Sequence, residues 1–148
     1  MRRSLPRRGP EGGAELIEFA LLMPLLMAML LGIIEYGMMF SRMLSVQSAT
    51  RDAARWAATP GIPMDEAPAE AVAMLREGLA LQGLSCTAED EAAGLCALSA
   101  ELDEVEGYTV VEVVTRLSYA SAAAGLLPVP DELTARSTFM LTNQPVAP

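Results

Sequence analysis

The chain opens on a polar, arginine-rich tip and then turns apolar for a long stretch. From Phe19 to Ile34 the run FALLMPLLMAMLLGII carries no charged residue, and after the single Glu35 it resumes as YGMMF. A helix of the 22 residues Phe19–Phe40 is about 33 Å long at 1.5 Å per residue, which matches the roughly 30 Å hydrocarbon core of a bilayer. The pattern then changes from continuous to periodic. Met43, Val46, Ala49, Ala53 and Trp56 recur at spacings of three and four, with Arg51, Asp52 and Arg55 on the other face. Thr59-Pro60-Gly61 supplies the stop. One helix over about Ala14–Ala58 is predicted, its first half in a membrane (span about 19–40) and its second half lying on an exported domain.

Residues 59–148 form that domain. Pro60-Gly61-Ile62-Pro63 reads as a linker. A second helix is expected over about Asp65–Leu81, with Val72, Leu75 and Leu79 inward and Gly83 as its stop. Cys96, Leu98, Ala100 and Leu102 alternate like one face of a strand, and Asp103–Gly107 reads as a turn. Tyr108–Leu117 is β-branched enough for a central strand, Leu126–Asp131 is a proline-containing loop, and Leu133–Thr142 alternates as a last strand. The fold class is α+β. A long N-terminal transmembrane spine helix continues into a small periplasmic domain with a second helix and a short antiparallel sheet. The tail Asn143–Pro148 is left outside that core.

Charge sets the orientation. Residues 1–13 hold four Arg against Glu11, whereas the remaining 135 residues hold six Arg against eighteen acids. By the positive-inside rule the basic tip stays in the cytoplasm and the acidic body is exported, giving an N-in, C-out single-pass protein. A secretory signal peptide would be shorter and followed by a small-x-small cleavage site. EYGMMFSRMLSVQ offers none, which favours retention.

Composition narrows the chemistry. The chain has no His and its ten basic residues are all Arg, so imidazole-activated nucleophiles, imidazole metal ligands and Schiff-base lysines are excluded. A net charge of −9 argues against a nucleic-acid groove, which needs a basic face. The acids Glu101, Asp103, Glu104 and Glu106 lack calcium-loop spacing and read as a solvated hairpin tip. No catalytic constellation, metal site or cofactor is expected. Cys86 and Cys96, in an exported segment, are expected to form a disulfide closing the loop 86–96.

The entry to the apolar run carries a second signal. Residues 13–19 read G-A-E-L-I-E-F, a Gly followed five residues later by Glu and then by an aromatic. With the basic leader, Pro24 and Glu35 in one apolar helix, the stretch GAELIEFALLMPLLMAMLLGIIEYGMMF resembles the TadE-like branch of the type IV pilin superfamily, small pseudopilins (minor pilins) of the Tad (Flp) pilus machinery. The resemblance covers about Gly13–Phe40. It implies that residues 1–13 are a cytoplasmic leader removed by a prepilin peptidase between Gly13 and Ala14. Glu18 and Phe19 then become the fifth and sixth mature residues, with Glu18 neutralising the Ala14 amine of a neighbouring subunit. It further implies a role in assembling an adhesive pilus. The partners would be the peptidase, other Tad pilins or pseudopilins, the inner-membrane assembly platform and the bilayer, with no nucleic acid.

The residues make physical sense by themselves. Gly at a cut lets a protease approach the backbone, and Pro10 with Gly12-Gly13 is expected to keep the scissile bond extended. Glu15 and Glu18 also suit the positive end of a helix dipole. Pro24 removes one backbone hydrogen bond inside the span, and Ala28 and Gly32 form a small-xxx-small pair able to seat another helix. Glu35 reads as an exposed carboxylate at the membrane exit beside the interfacial Tyr36; a contact with a partner pilin is the sharper alternative. The competing reading of the whole chain is an uncleaved, membrane-anchored envelope protein whose acidic domain binds a partner or ligand.

Overall fold

A computed structural model describes residues 11–121 and 128–141 of the chain. Residues 1–10 of the expected leader, part of the Leu126–Asp131 loop, Thr142 and the tail 143–148 lie outside the described residues. The element order is α1 (Glu11–Ala57), α2 (Ala67–Leu81), α3 (Ala88–Ala92), β1 (Cys96–Val105), β2 (Tyr108–Ser118) and β3 (Glu132–Met140). The α+β architecture holds: one long apolar helix, further helices, and a three-stranded antiparallel sheet in the order β1-β2-β3.

The spine helix α1 is continuous through Pro24. It starts at Glu11, earlier than expected, so the Gly13–Ala14 peptide lies inside its first turn instead of in an extended leader. Glycine lowers helix propensity by about 1 kcal/mol without forbidding the conformation, and Pro10 is tolerated just outside a helix start. The domain covers only the far half of α1. Val46, Ala49, Thr50, Ala53, Ala54 and Ala57 are buried there, whereas Trp56 stays half-exposed. The expected stripe therefore drifts by one residue at its end, from Trp56 to Ala57.

Helix α2 folds back along α1 with Ala67, Ala71, Leu75 and Leu79 buried. Val72, expected inward, is only partly covered, and Ala71 takes the contact. The helices meet closely at this face: a Cβ placed on Gly78 would sit 3.6 Å from that of Ala49. Leu75 and Leu79 fill the space between helices and sheet, each contributing roughly 1.5–3 kcal/mol on burial.

The sheet's inner face is built from the alternating residues expected of it. Leu98, Thr115 and Ala135 lie across one row, and Ala100, Val113 and Ser137 across the next. The β1–β2 turn is shorter than Asp103–Gly107. Asp103, Glu104 and Val105 pair with Val110, Thr109 and Tyr108. The chain reverses at Glu106 and Gly107, both at positive φ (53° and 82°), as a two-residue hairpin turn compatible with strand twist requires.

One polar pair ties spine to sheet. Thr50 Oγ1 donates to the Val46 carbonyl at 2.7 Å and lies 2.7 Å from Thr115 Oγ1. A hydroxyl has one proton, so Thr115 donates to Thr50. Both are fully buried. Thr50→Val keeps the shape but strands the Thr115 hydroxyl, and is expected to destabilise the domain by about 1–2 kcal/mol, read as a lower urea midpoint with unchanged slope.

Candidate stem and junction site

The first half of α1 is bare. Every side chain described from Glu15 to Leu31 is exposed, and so are Ile33 and Ile34. Glu18 and Phe19 both lie on this stretch, as do Pro24 and Ala28, and among the described residues no other element covers them. Gly13 is exposed, and a Cβ added there would meet nothing within 4 Å. Gly32 is the first partly covered position. The helix from Glu15 to Ala57 is long and apolar enough to cross a membrane.

Glu35 marks where the bare stem ends, but not as an exposed carboxylate. It is only 2 % exposed. The phenol of Tyr119, just beyond the end of β2, donates to Glu35 Oε1 at 2.9 Å. The expectation of a solvated carboxylate at the membrane exit is thus overturned: the domain itself reaches down and covers it. The Arg42 guanidinium carbon lies 5.4 Å from the centre of the Tyr119 ring, within cation–π range. The Tyr119 backbone N–H is held by the Asp131 carbonyl at 2.7 Å. Tyr36, one residue after Glu35, donates its hydroxyl to the Pro128 carbonyl at 3.0 Å. Two tyrosines, one from each side of the junction, therefore fasten the strand connections to the stem at adjacent helix positions.

Electrostatics follows the geometry. Burial raises the Tyr119 phenol above its ordinary value, and the hydrogen bond and negative charge of Glu35 push the same way; Arg42 opposes them in part. The proton therefore stays on the phenol. Arg42 was not singled out by the helical pattern, and Tyr119 carries no local motif. The nearest sequence clue to Tyr119 is an aromatic one position past a β-branched strand.

The domain beyond the junction is stapled and capped. Cys86 and Cys96 are bonded across a separation of 10 residues, joining the α2–α3 connection to the first residue of β1. Between them, Thr87 caps the unexpected short helix α3. Its hydroxyl accepts from the Asp90 N–H at 3.2 Å, while the Asp90 carboxylate accepts from the Thr87 N–H at 2.9 Å. These bonds hold the Asp90 carboxyl below its usual value, the backbone bond foremost. The T-A-E-D spacing of this capping box is visible in residues 87–90, inside the stretch expected from the sequence only as the loop 86–96.

Comparison with known families bears on the stem. Residues 13–55 match the family described as TadE-like protein. Over that segment the chain is similar to the TadE-like family. The match begins at Gly13 and ends two residues short of the end of α1. It takes in the bare stem, Glu35 and the helix face that carries the sheet. No curated protein and no solved structure matches the chain.

Proposed function

We propose that this TadE-like chain is a minor pilin, or pseudopilin, matured by a prepilin peptidase between Gly13 and Ala14 and required to assemble an adhesive Tad pilus. The observation that carries this reading is where the family match starts. It begins at Gly13, six residues before the uncharged run opens at Phe19, on the residue after which cleavage is proposed. No described residue packs within 4 Å of where a side chain at Gly13 would stand, and a helical glycine costs roughly 0.5–1 kcal/mol relative to Ala, which fits a position used by a protease. The same property answers the helical conformation of the site: Gly12 and Gly13 make that first turn cheap to unwind into a protease.

The bare stretch Leu16–Ile34 is 19 residues, or about 28 Å of helix, which spans a hydrocarbon core without using residues past Glu35. In this placement Glu18 sits about half a turn inside the cytoplasmic edge, where a lone carboxylate is costly. The new Ala14 amine of a neighbouring subunit supplies its counter-charge, and Phe19 packs beside it. Pro24, Ala28 and Gly32 remain on the stem for helix neighbours. The domain lies on the periplasmic side, where a disulfide persists, and partners are the peptidase, other Tad pilins and the assembly platform. The role is structural, not enzymatic.

The test is the intact mass and N-terminal sequence of the membrane-extracted protein, made with and without a prepilin peptidase. A peptidase-dependent start at Ala14, abolished by Gly13→Val, is the expected result. A start at Met1 in both cells would replace this reading with an uncleaved anchored domain.

A further inference from the structure

Coverage of α1 does not stop where the domain's core stops. Val46, Met43, Met39, Tyr36, Glu35 and Gly32 follow one another down one face at helical spacing, each buried or partly covered, whereas Ile33, Ile34, Met38 and Phe40 are exposed. The covered face therefore enters the apolar run. Glu35 and Tyr36 directly follow Ile34, so their Cα atoms stand only about 2–3 Å beyond the bare span. Side chains on a helix tilt toward its N-terminus, which here is the membrane side. The Tyr119 hydroxyl meets Glu35, and the Pro128 carbonyl meets Tyr36, at the ends of side chains so tilted. The headgroup layer adds about 5–7 Å on each side of the hydrocarbon core, more than these positions rise above it. A span that ran on to Phe40 would set both contacts deeper still.

The residues at that level suit a lipid interface. Ser118–Ser121 and Pro128–Pro130, the described parts of the β2–β3 connection, carry no charge in an otherwise acidic domain. Their backbone is partly paired within the protein. The Ser118 N–H donates to the Leu95 carbonyl and the Tyr119 N–H to the Asp131 carbonyl, both at 2.7 Å, which lowers the cost of leaving water. Both pins are tyrosines, with an apolar ring and a polar tip, the residue type that collects at membrane–water boundaries. Arg42 is exposed and, among the described residues, makes no ion pair. Its guanidinium is held over the Tyr119 ring, where a long stem lets the charge face lipid phosphates.

We infer that the base of the domain is a second lipid contact. Tyr36, Tyr119, Ala120, Pro128 and Val129 lie in the headgroup layer of the leaflet on the domain's side, so the membrane-resident domain is seated on the bilayer and not held above it on a free stem. The occupant is the bilayer that the stem itself crosses. Continuity selects it: the covered face of α1 runs without a break from the core to Gly32, inside the bare span. The inference rests on the stem spanning a bilayer and does not need cleavage at Gly13.

Depth-dependent quenching of the full chain in phosphatidylcholine nanodiscs tests this. A thiol dye is placed on Ala120→Cys and Val129→Cys for the base, on Asp103→Cys for the hairpin and on Leu26→Cys for the span, with Cys86–Cys96 kept oxidised. Both base labels are expected to lose most of their emission to lipids carrying a nitroxide on the headgroup or high on the acyl chain, and to be shielded from a water-soluble quencher. The hairpin label is expected to behave in the opposite way, and the span label to respond to a nitroxide deep in the acyl chain. Each labelled chain is first required to keep the wild-type urea midpoint. Ala120 is exposed and Val129 partly covered, so a failure of the second to fold leaves the first as the reporter. Base labels as open to the water-soluble quencher as the hairpin label, with the span label still quenched by lipid, overturn the seated domain and leave the span intact. A span label that lipid does not quench overturns both.

Discussion

Tyr119→Phe is expected to lower the stability of the domain by about 2 kcal/mol, the range for losing a hydrogen bond to a carboxylate. The ring stays, so packing against Arg42 is retained; only the proton donated to Glu35 is lost. The full chain in micelles, unfolded in urea and followed by the single Trp56, reads the change. A double-mutant cycle with Glu35→Ala separates the pair from its surroundings and is expected to show coupling of about 1–2 kcal/mol. A loss below about 0.5 kcal/mol would show that the junction is held by other contacts. pH gives an independent check. The folded state holds the Tyr119 proton more tightly than the unfolded chain does, so this contribution is complete below the ordinary tyrosine value near 10. It is lost as pH rises through the raised folded value. Above about pH 10 the wild type should therefore lose stability relative to Tyr119→Phe, and the gap between them should close.

Glu35 also shows where sequence reading reached its limit. The stem was legible because sixteen uncharged residues in a row have few physical uses, and the family resemblance was legible because its residues are contiguous. Glu35 and Tyr119 are 84 positions apart, and neither alone announces the other; a carboxylate next to an interfacial tyrosine reads naturally as exposed. The core was legible in outline and shifted in detail for one reason. Ala49 and Ala53 stand in the stripe the periodicity picks out and are buried, whereas Trp56 and Val72, also expected inward, are not, and Ala57 and Ala71 beside them are buried instead. Helical spacing of three or four leaves the phase of a stripe uncertain by one residue at its ends. In the sheet, alternation placed Leu133, Ala135 and Leu141 inward as found. The acidic hairpin was read as turn too early, since charge marks exposure but does not by itself end a ladder. The proposed cut at Gly13 and the proposed role of Glu18 concern partners, and among the described residues nothing packs on either side chain position.

Breaking the disulfide is expected to have the larger effect on the domain, about 3 kcal/mol for Cys86→Ala with Cys96→Ala, from the loop-closure entropy of a ring spanning 10 residues. The local structure explains why the loss should be felt. The bonded loop contains α3, a helix of five residues with none of them buried, too short to persist in water by propensity. Its support is the Thr87–Asp90 cap, the exposed Arg76–Glu91 pair and the covalent link to β1. Surface ion pairs contribute at most about 1 kcal/mol, so the link is the main constraint on this segment. Both sulfurs are buried against the core formed by Leu75, Leu79 and Leu117, which places the staple between the end of α2 and the edge strand, not at a free loop. Amide exchange across residues 84–96 should therefore accelerate first in the double variant, while the amides of β2 and of α1 around Thr50 follow the global transition. Reduced wild type should match the double variant in urea midpoint, because either treatment releases the same chain entropy. If reduction leaves the midpoint unchanged, the loop is ordered by its noncovalent contacts alone, and Cys86–Cys96 would record the compartment in which the domain folds without stabilising it there.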